Sequence, residues 1–184
     1  MAPPDDVAED ETAAQIEPPL EAARRHGALV TTSGGQTVLH PTRDTWVEVI
    51  TALRSDGYWM CVDVCGVDYL SYSADRGLPS GVVAERFEVV ANLIDHTTRE
   101  RIRLRVQVPA DDPTLPTLFR IHPGSEAMER EAFDMFGIVF DGHPDMTRIL
   151  MPDTWVGHPL RKDYDVGRIP VQFKGAPATG RVTT

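Results

Sequence analysis

RIRLRVQV, residues 101–108, alternates strictly between polar and apolar side chains. Because successive side chains of a strand point to opposite faces, this alternation predicts a β-strand with one buried face and one wetted face. The preceding stretch AERFEVVANLI, residues 84–94, supplies a partner strand. The connection DHTTRE is short enough for a hairpin, so the two strands are predicted to be antiparallel, with helices covering their apolar side.

Two segments outside this hairpin have the periodicity of amphipathic helices. The first places four apolar residues at helical spacing: Trp46, Val49, Ile50 and Leu53. Residues 125–136 form the second, with turn residues at both ends. A short strand at residues 59–64 and a Ser- and Gly-rich loop at residues 69–81 complete the pattern. These elements predict an α+β fold, in which an antiparallel or mixed sheet covered by helices is followed by an irregular extended C-terminal segment.

Composition and charge disfavour three classes of protein: membrane-spanning, secreted and nucleic-acid-binding proteins. The chain has 184 residues, of which 41% are hydrophobic and 25% charged, as is ordinary for a soluble globular protein. No apolar run approaches the length of a membrane span and the acidic N-terminus does not resemble a secretory signal, so we expect the chain to stay in the cytoplasm. The formal net charge of −10 disfavours binding to nucleic acid and direct adhesion to anionic lipid.

The chain contains two cysteines, Cys61 and Cys65. Alone they cannot supply the four thiolates of a standard iron-sulfur cluster or structural zinc site. Four residues apart in a strand, they share a face, so we interpret them as two small buried hydrophobes rather than a redox pair.

Three parts of the chain differ in amino-acid composition and in the periodicity of their apolar residues. Residues 1–19 carry six acidic residues and four prolines with little apolar surface, which predicts a disordered acidic N-terminal tail. Residues 20–140 are predicted to form the α+β domain. Residues 141–184 have little periodicity and repeat Gly-His-Pro at positions 142–144 and 157–159. Because proline disfavours the α region for the residue before it, each motif is expected to be an extended or turning piece of backbone. We expect residues 141–184 to form an extended C-terminal segment that wraps partner surfaces.

The second predicted helix places Glu129 inside its apolar arc. A carboxylate on an apolar face is costly unless it is paired, so Glu129 is predicted to be a buried charge paired to an arginine. The candidate basic partners lie further along the chain: Arg148, Arg161 and Lys162. Glu131 and Asp134 are expected on solvated or inter-segment flanks of the helix.

The stretch EREAFDMFGIVFDGHPDMTRILMPDTWVGHPLRKDYDV, residues 129–166, resembles the signature region of the 30 kDa subunit family, the C subunits of the respiratory NADH:quinone oxidoreductase, complex I. The similarity extends more loosely back to Trp59, so it covers most of the predicted globular part. The signature residues expected to form interfaces are Glu129, Arg130, Glu131, Asp134, Phe136, Gly137, His143, Pro144, Arg148, His158, Pro159, Leu160, Arg161, Lys162, Asp163 and Tyr164.

This resemblance implies a cofactor-free structural subunit of the peripheral arm of a proton-translocating enzyme. By the same resemblance, the iron-sulfur clusters and FMN belong to partner subunits, and this chain scaffolds those that carry the terminal cluster and the quinone site. It would lie on the cytoplasmic side of the cell membrane, touching the membrane only through the complex. The alternative within the resemblance is the homologous subunit of a related membrane-bound hydrogenase or deazaflavin dehydrogenase.

The sequence gives less support to metal binding or acid/base catalysis by the histidines and carboxylates of this region. His122, His143 and His158 are types that bind zinc or relay protons, but no paired-histidine or Cys/His framework accompanies them, so we interpret them as hydrogen-bonding wedges in an interface. Glu129, Glu131 and Asp134 resemble a general acid/base set. Two further hypotheses are a small hydrolase built on these groups and a stand-alone binding module. We expect no catalytic residue and no metal ligand.

Overall fold

The computed structural model describes residues 23–165. The predicted acidic tail, residues 1–19, lies outside the described residues, as does the end of the predicted C-terminal segment after residue 165.

Eight strands and two α-helices make up the described chain. The strands are β1 (Arg24–Arg25), β2 (Ala28–Ser33), β3 (Gln36–His40), β4 (Met60–Asp68), β5 (Phe87–Ile94), β6 (Arg101–Val108), β7 (Thr114–Pro116) and β8 (Val139–Asp141). The helices are α1 (Trp46–Ser55) and α2 (Glu126–Phe136), and one 3-10 turn (Pro123–Ser125) leads into α2.

The main sheet has six strands in the order β1-β2-β3-β6-β5-β4. β5 and β6 form the predicted antiparallel hairpin, in which Phe87 pairs with Val108 and Ile94 with Arg101. β3 runs parallel to β6, so the sheet is mixed. A second, parallel pair joins β7 to β8. The α+β fold predicted from the sequence is confirmed.

The core lies between one face of the sheet and the helices. The apolar residues of β6 and those of β5 on the same face are fully buried, together with the four helical residues Trp46, Val49, Ile50 and Leu53. α2 packs on the same face through Phe136, whose ring lies so close to Gly66 of β4 that a Cβ there would be 2.7 Å from it. This packing fixes where the C-terminal half of α2 sits relative to β4.

A loop from residue 69 to residue 86 covers part of the opposite face. Glu88 of β5 is buried there and accepts hydrogen bonds from Arg105 and Gln107 of β6. Arg105 also donates to the carbonyl oxygen of Arg76 in the loop, and the Arg76 guanidinium lies 4.1 Å from the centroid of the Tyr69 ring. The polar face predicted for the hairpin is therefore partly covered by the 69–86 loop, and its charged side chains are paired beneath that loop.

The two cysteines were predicted to share a face and to be buried, and both of these predictions were wrong. A β-bulge between Cys61 and Asp63 shifts the register of β4, so Cys61 pairs with Leu93 on the core face while Cys65 pairs with Val90 on the other. Cys61 is half-buried and Cys65 is exposed. The strand itself is longer than the predicted residues 59–64, because it continues through Asp68.

Candidate functional site

Residues 142–165, which we call the anchored segment, follow β8 and contain no helix or strand. They are nevertheless held in place by α2 and β4. Both glycines of the repeated Gly-His-Pro motifs, Gly142 and Gly157, have positive φ angles of 80° and 87°, so each motif turns at its glycine.

Asp134 is the main anchor on α2. Its side chain is completely buried and accepts backbone hydrogen bonds from Ile149, Leu150 and Met151 at 3.1, 2.8 and 2.8 Å. The Asp134 carboxylate also forms an ion pair with Arg148, in which Oδ1 lies 2.5 Å from Nη1. Burial alone would raise the pKa of Asp134, but these donors outweigh burial and hold its pKa below the ordinary value. Asp134 does lie between segments, as expected, but it is buried rather than solvated.

Arg148 and Arg130 link successive parts of the anchored segment. Arg148 donates to the carbonyl oxygen of Gly157 at 2.9 Å, which ties the second Gly-His-Pro turn to the Asp134 anchor. Arg130, one turn before Asp134, donates to the carbonyl oxygens of Thr147 and Arg148. Its guanidinium also lies 3.7 Å from the carboxylate of Asp145.

Gly137 ends α2, and its lack of a side chain lets the second Gly-His-Pro turn pack against the end of the helix. It adopts the left-handed conformation with φ 72°, and a Cβ there would lie 2.5 Å from Nη2 of Arg161 and 2.6 Å from Nε2 of His158. His158 contacts the carbonyl oxygen of Asp134 through Nδ1 at 3.0 Å, and Arg161 donates to the carbonyl oxygen of Phe136 at 2.5 Å. These two side chains therefore occupy the end of the helix, where its carbonyl groups lack helical partners.

The last described residues return to the sheet. The backbone N–H of Leu160 donates to the carbonyl oxygen of Met135 at 3.0 Å, and that of Lys162 donates to the buried carboxylate of Asp68 in β4 at 2.9 Å. Arg86 then bridges Asp68 and Asp163 at 2.9 and 2.6 Å. Asp68 and Arg86 were not among the predicted site residues, since neither falls within the signature stretch.

The predicted partner of Glu129 was wrong. Glu129 is fully buried, but it accepts hydrogen bonds from the Thr117 hydroxyl, the Leu118 backbone N–H and the Ser125 hydroxyl, at 2.5, 2.7 and 2.9 Å. The expected basic partners are engaged elsewhere, because Arg148 pairs with Asp134 and Arg161 caps α2. No arginine or lysine within residues 23–165 is paired to it, and burial raises the pKa of Glu129.

His143 forms the corresponding contact at the start of α2. Its Nε2 lies 3.1 Å from the carbonyl oxygen of Glu126, and its Nδ1 accepts the backbone N–H of Asp145 at 3.0 Å. In this pattern Nε2 is the ring nitrogen that carries the donated hydrogen. His143 thus wedges the first Gly-His-Pro turn against the helix, as His158 does the second.

The remaining signature residues lie around these contacts. Phe136, Pro159 and Tyr164 are half-buried, with Tyr164 so close to Gly157 that a Cβ there would be 2.8 Å from its ring. Glu131, Pro144 and the side chain of Lys162 are exposed. The structure therefore gathers most of the sixteen signature residues into one packed unit of α2, the anchored segment and the end of β4.

A family model described as "Respiratory-chain NADH dehydrogenase, 30 Kd subunit" matches residues 39–169. The chain belongs to this family.

Two curated relatives of this 30 Kd family member are each named as the C subunit of an NADH-quinone oxidoreductase. The protein from Saccharopolyspora erythraea is 45% identical over 80% of this chain, and the one from Salinispora arenicola is 43% identical over 91% of it. This chain spans 56% and 65% of the length of those two relatives, respectively.

Two solved structures share the fold of this 30 Kd family member. A trypsin-resistant fragment of Nqo5 is 34% identical, with a TM-score of 0.57, covering 65% of this chain and 89% of the fragment. A chain of the membrane-bound sulfane sulfur reductase, an archaeal respiratory membrane complex, has a TM-score of 0.58 at 19% identity, covering 76% of this chain and 78% of its own. The second likeness concerns the fold alone.

The anchored segment of this 30 Kd family member carries four exposed apolar side chains, which we call the apolar set: Ile149, Leu150, Val156 and Leu160. They are 41%, 56%, 86% and 49% exposed. Of the four, sequence reasoning selected Leu160 and missed the others, because a segment without periodicity offers no way to separate inward from outward positions. Exposed apolar side chains that form a contiguous patch mark surfaces for binding a protein, a membrane or a ligand.

Three titratable groups of this region are engaged in internal contacts: Glu129, Asp134 and His158. Asp134 and Glu129 each accept several hydrogen bonds, and burial lowers the pKa of His158. Within residues 23–165, no three His, Cys, Asp or Glu side chains converge so as to hold a metal ion, and no helix is long and apolar enough to cross a membrane. The arrangement is suited to fixing backbone and presenting a surface.

Proposed function

We propose that this chain is a cofactor-free structural subunit of the peripheral arm of a proton-translocating NADH:quinone oxidoreductase. In this role it scaffolds the subunits that carry the terminal iron-sulfur cluster and the quinone site. The iron-sulfur clusters and FMN reside in those partners, and the chain reaches the cytoplasmic side of the cell membrane only through the complex. Its membership of the 30 Kd subunit family supports this proposal.

The observation that carries the proposal is the way the anchored segment is fixed. An irregular segment normally orders only with its partner, because fixing its backbone costs about 1–2 kcal/mol per residue. Here one buried carboxylate, Asp134, holds three consecutive backbone N–H groups and an arginine. Leu150, whose N–H is one of the three, is 56% exposed. The polar anchor thus presents apolar side chains outward, as a preorganised docking surface does.

The experiment is purification of the assembly through this chain. The full chain is expressed with an affinity tag in its own host, extracted with a mild detergent and analysed by mass spectrometry of the co-purifying proteins, together with an assay of NADH-dependent quinone reduction. We expect a large assembly that contains cluster-bearing and quinone-site subunits and has this activity. An untagged host is the control for non-specific recovery.

Two results would contradict the proposal. Recovery of the chain alone, even after chemical cross-linking, would favour a stand-alone protein. Recovery of hydrogenase or deazaflavin-dehydrogenase subunits, with no NADH-dependent activity, would assign the chain to a related complex instead.

A further inference from the structure

A cavity of about 490 Å³ opens on the face of the sheet opposite the helices, at the end where β6 begins. Three arginines line it: Arg99 in the β5–β6 turn, and Arg101 and Arg103 on β6. Asn92 of β5 and the hairpin residues Gly34 and Gly35 also line it. This part of the sheet adjoins the charged network under the 69–86 loop, since Asn92 and Arg103 also line the depression that contains Glu88 and Arg105.

Among the described residues, the arginines of the cavity lack the acidic partners that Arg86, Arg105 and Arg148 have. Arg105, the next residue on the same face of β6, pairs with buried Glu88 at 2.7 Å. By contrast, the one described partner of Arg103 is the side-chain oxygen of Asn92, at 3.2 Å. Within residues 23–165, the side chains of Arg99 and Arg101 form no hydrogen bond or ion pair. Asp63 is the one acidic residue among the described residues that line the cavity. The cavity is therefore locally positive in a chain whose net charge is −10.

The spacing of these charges suits an extended peptide. Arg101 and Arg103 are two residues apart on one face of a strand, which places them about 7 Å apart. Alternate side chains of an extended peptide have the same spacing, so two carboxylates of such a peptide can meet both guanidinium groups. Arg99 adds a third charge from a backbone with φ 63°, a left-handed conformation that glycine and asparagine adopt more readily.

We propose that this cavity binds an extended acidic segment of another protein chain, with Arg99, Arg101 and Arg103 receiving its carboxylates. The identification of that chain as a neighbouring subunit rests on the proposed function, but the binding itself does not. Nucleic acid is a poorer occupant, because a long polyanion would meet the acidic remainder of the chain. A single small anion would engage only part of a row of arginines about 7 Å apart.

The test is peptide binding by the isolated full-length chain. The probe is a fluorescently labelled peptide of alternating aspartate and serine, and fluorescence polarisation gives its affinity. The variant carries Arg101→Gln and Arg103→Gln. The matched control carries Arg24→Gln and Arg120→Gln, which removes the same charge from positions outside the cavity. We expect the cavity variant to bind about tenfold more weakly than the wild type and the control to stay within about twofold.

Three results would overturn the inference: no binding by the wild type, an equal loss in the control variant, or displacement of the probe by inorganic phosphate as effectively as by unlabelled acidic peptide. Circular dichroism melting checks that both variants are folded. Because assembly is not measured, failure here leaves the proposed function standing, and failure of the co-purification leaves this inference standing.

Discussion

Asp134 and Glu129 are both buried on α2, yet their pKa values are displaced in opposite directions. Asp134 has an arginine and three backbone N–H donors, whereas Glu129 has two hydroxyls and one backbone N–H. The difference decides which carboxylate stabilises the fold as an anion.

Asp134→Asn keeps the size of the side chain but removes the charge that Arg148 and three N–H groups share. We expect the free energy of unfolding at neutral pH to fall by about 2–4 kcal/mol, because a half-buried arginine loses its partner. Chemical denaturation of the full chain measures the change. The control is Asp145→Asn, which removes an exposed carboxylate 3.7 Å from Arg130. Equal stability of the two variants would show that the Asp134 anchor contributes nothing.

Glu129→Gln tests whether the pKa of Glu129 is raised in the folded chain. The folded-state pKa of Glu129 lies above its ordinary value of 4.5, so the folded chain favours the neutral carboxyl. Relative to Glu129→Gln, the wild type should be most stable below that value and lose this advantage as pH rises through the folded-state pKa. Unfolding free energies of both proteins at several pH values measure the difference. The exposed Glu131→Gln should lack this trend, and a flat difference for Glu129→Gln would contradict the raised pKa.

Gly137→Ala adds a Cβ where Arg161 and His158 already lie within 2.6 Å, at a φ of 72°. The strained backbone and the clash should together lower the unfolding free energy by about 2–4 kcal/mol. Thermal or chemical denaturation measures it. Gly124→Ala is the matched control, since no neighbouring atom lies within 4 Å of its added Cβ. A loss of similar size in both variants would argue against close packing at the end of α2.

At the scale of elements, the anchored segment depends on β4 as well as on α2. Arg86→Gln breaks the bridge from Asp68 to Asp163. We expect amide hydrogen exchange in residues 160–165 to quicken about tenfold, because local opening becomes easier while the core stays closed. Mass spectrometry of exchange measures this. Arg43→Gln, which breaks the exposed pair with Asp112, should leave these residues unchanged. Unchanged exchange in the Arg86 variant would mean that the Arg86 bridge contributes nothing to holding residues 160–165, and that the Lys162–Asp68 contact and α2 suffice.

The elements that the sequence predicted are those with a strong local period. The β5–β6 hairpin and both helices follow from alternation and from i, i+3, i+4 spacing, and all three form as predicted. β2 and β3 went unpredicted: the Gly34-Gly35 turn between them signals a hairpin, but their flanks, Thr31 to Ser33 and Gln36 to Thr37, lack a clear apolar alternation. The cysteine error came from a bulge, which changes the phase of a strand without a fixed sequence signal.

The sequence predicted which residues belong to the candidate site but not which side chains contact one another. Glu129 was correctly placed in the core because its position on the helix is a matter of periodicity. Its partners, Thr117 and Ser125, depend on how β7 and the 3-10 turn meet the helix, which no local pattern encodes. Likewise, the role of Arg86 follows from its distance to Asp163 in the fold, 77 residues away in sequence.

At the scale of the whole molecule, the apolar set offers a way to separate folding from assembly. Leu150→Ser combined with Leu160→Ser removes two side chains that are 56% and 49% exposed and leaves the backbone N–H contacts of both residues available. Because they bury little in the isolated chain, its unfolding free energy should change by less than about 1 kcal/mol.

In the tagged host, the same double variant should recover several-fold less of the co-purifying assembly, since both positions would lose the apolar surface that they bury against a partner. Val83→Ser is the control, because Val83 is 75% exposed in the loop that covers the other face of the sheet. Quantitative mass spectrometry of partners per copy of the tagged chain measures the effect. Full recovery with the double variant would place the interface elsewhere on the molecule, whereas a comparable loss with Val83→Ser would mean that the apolar set is not distinct from the rest of the exposed apolar surface.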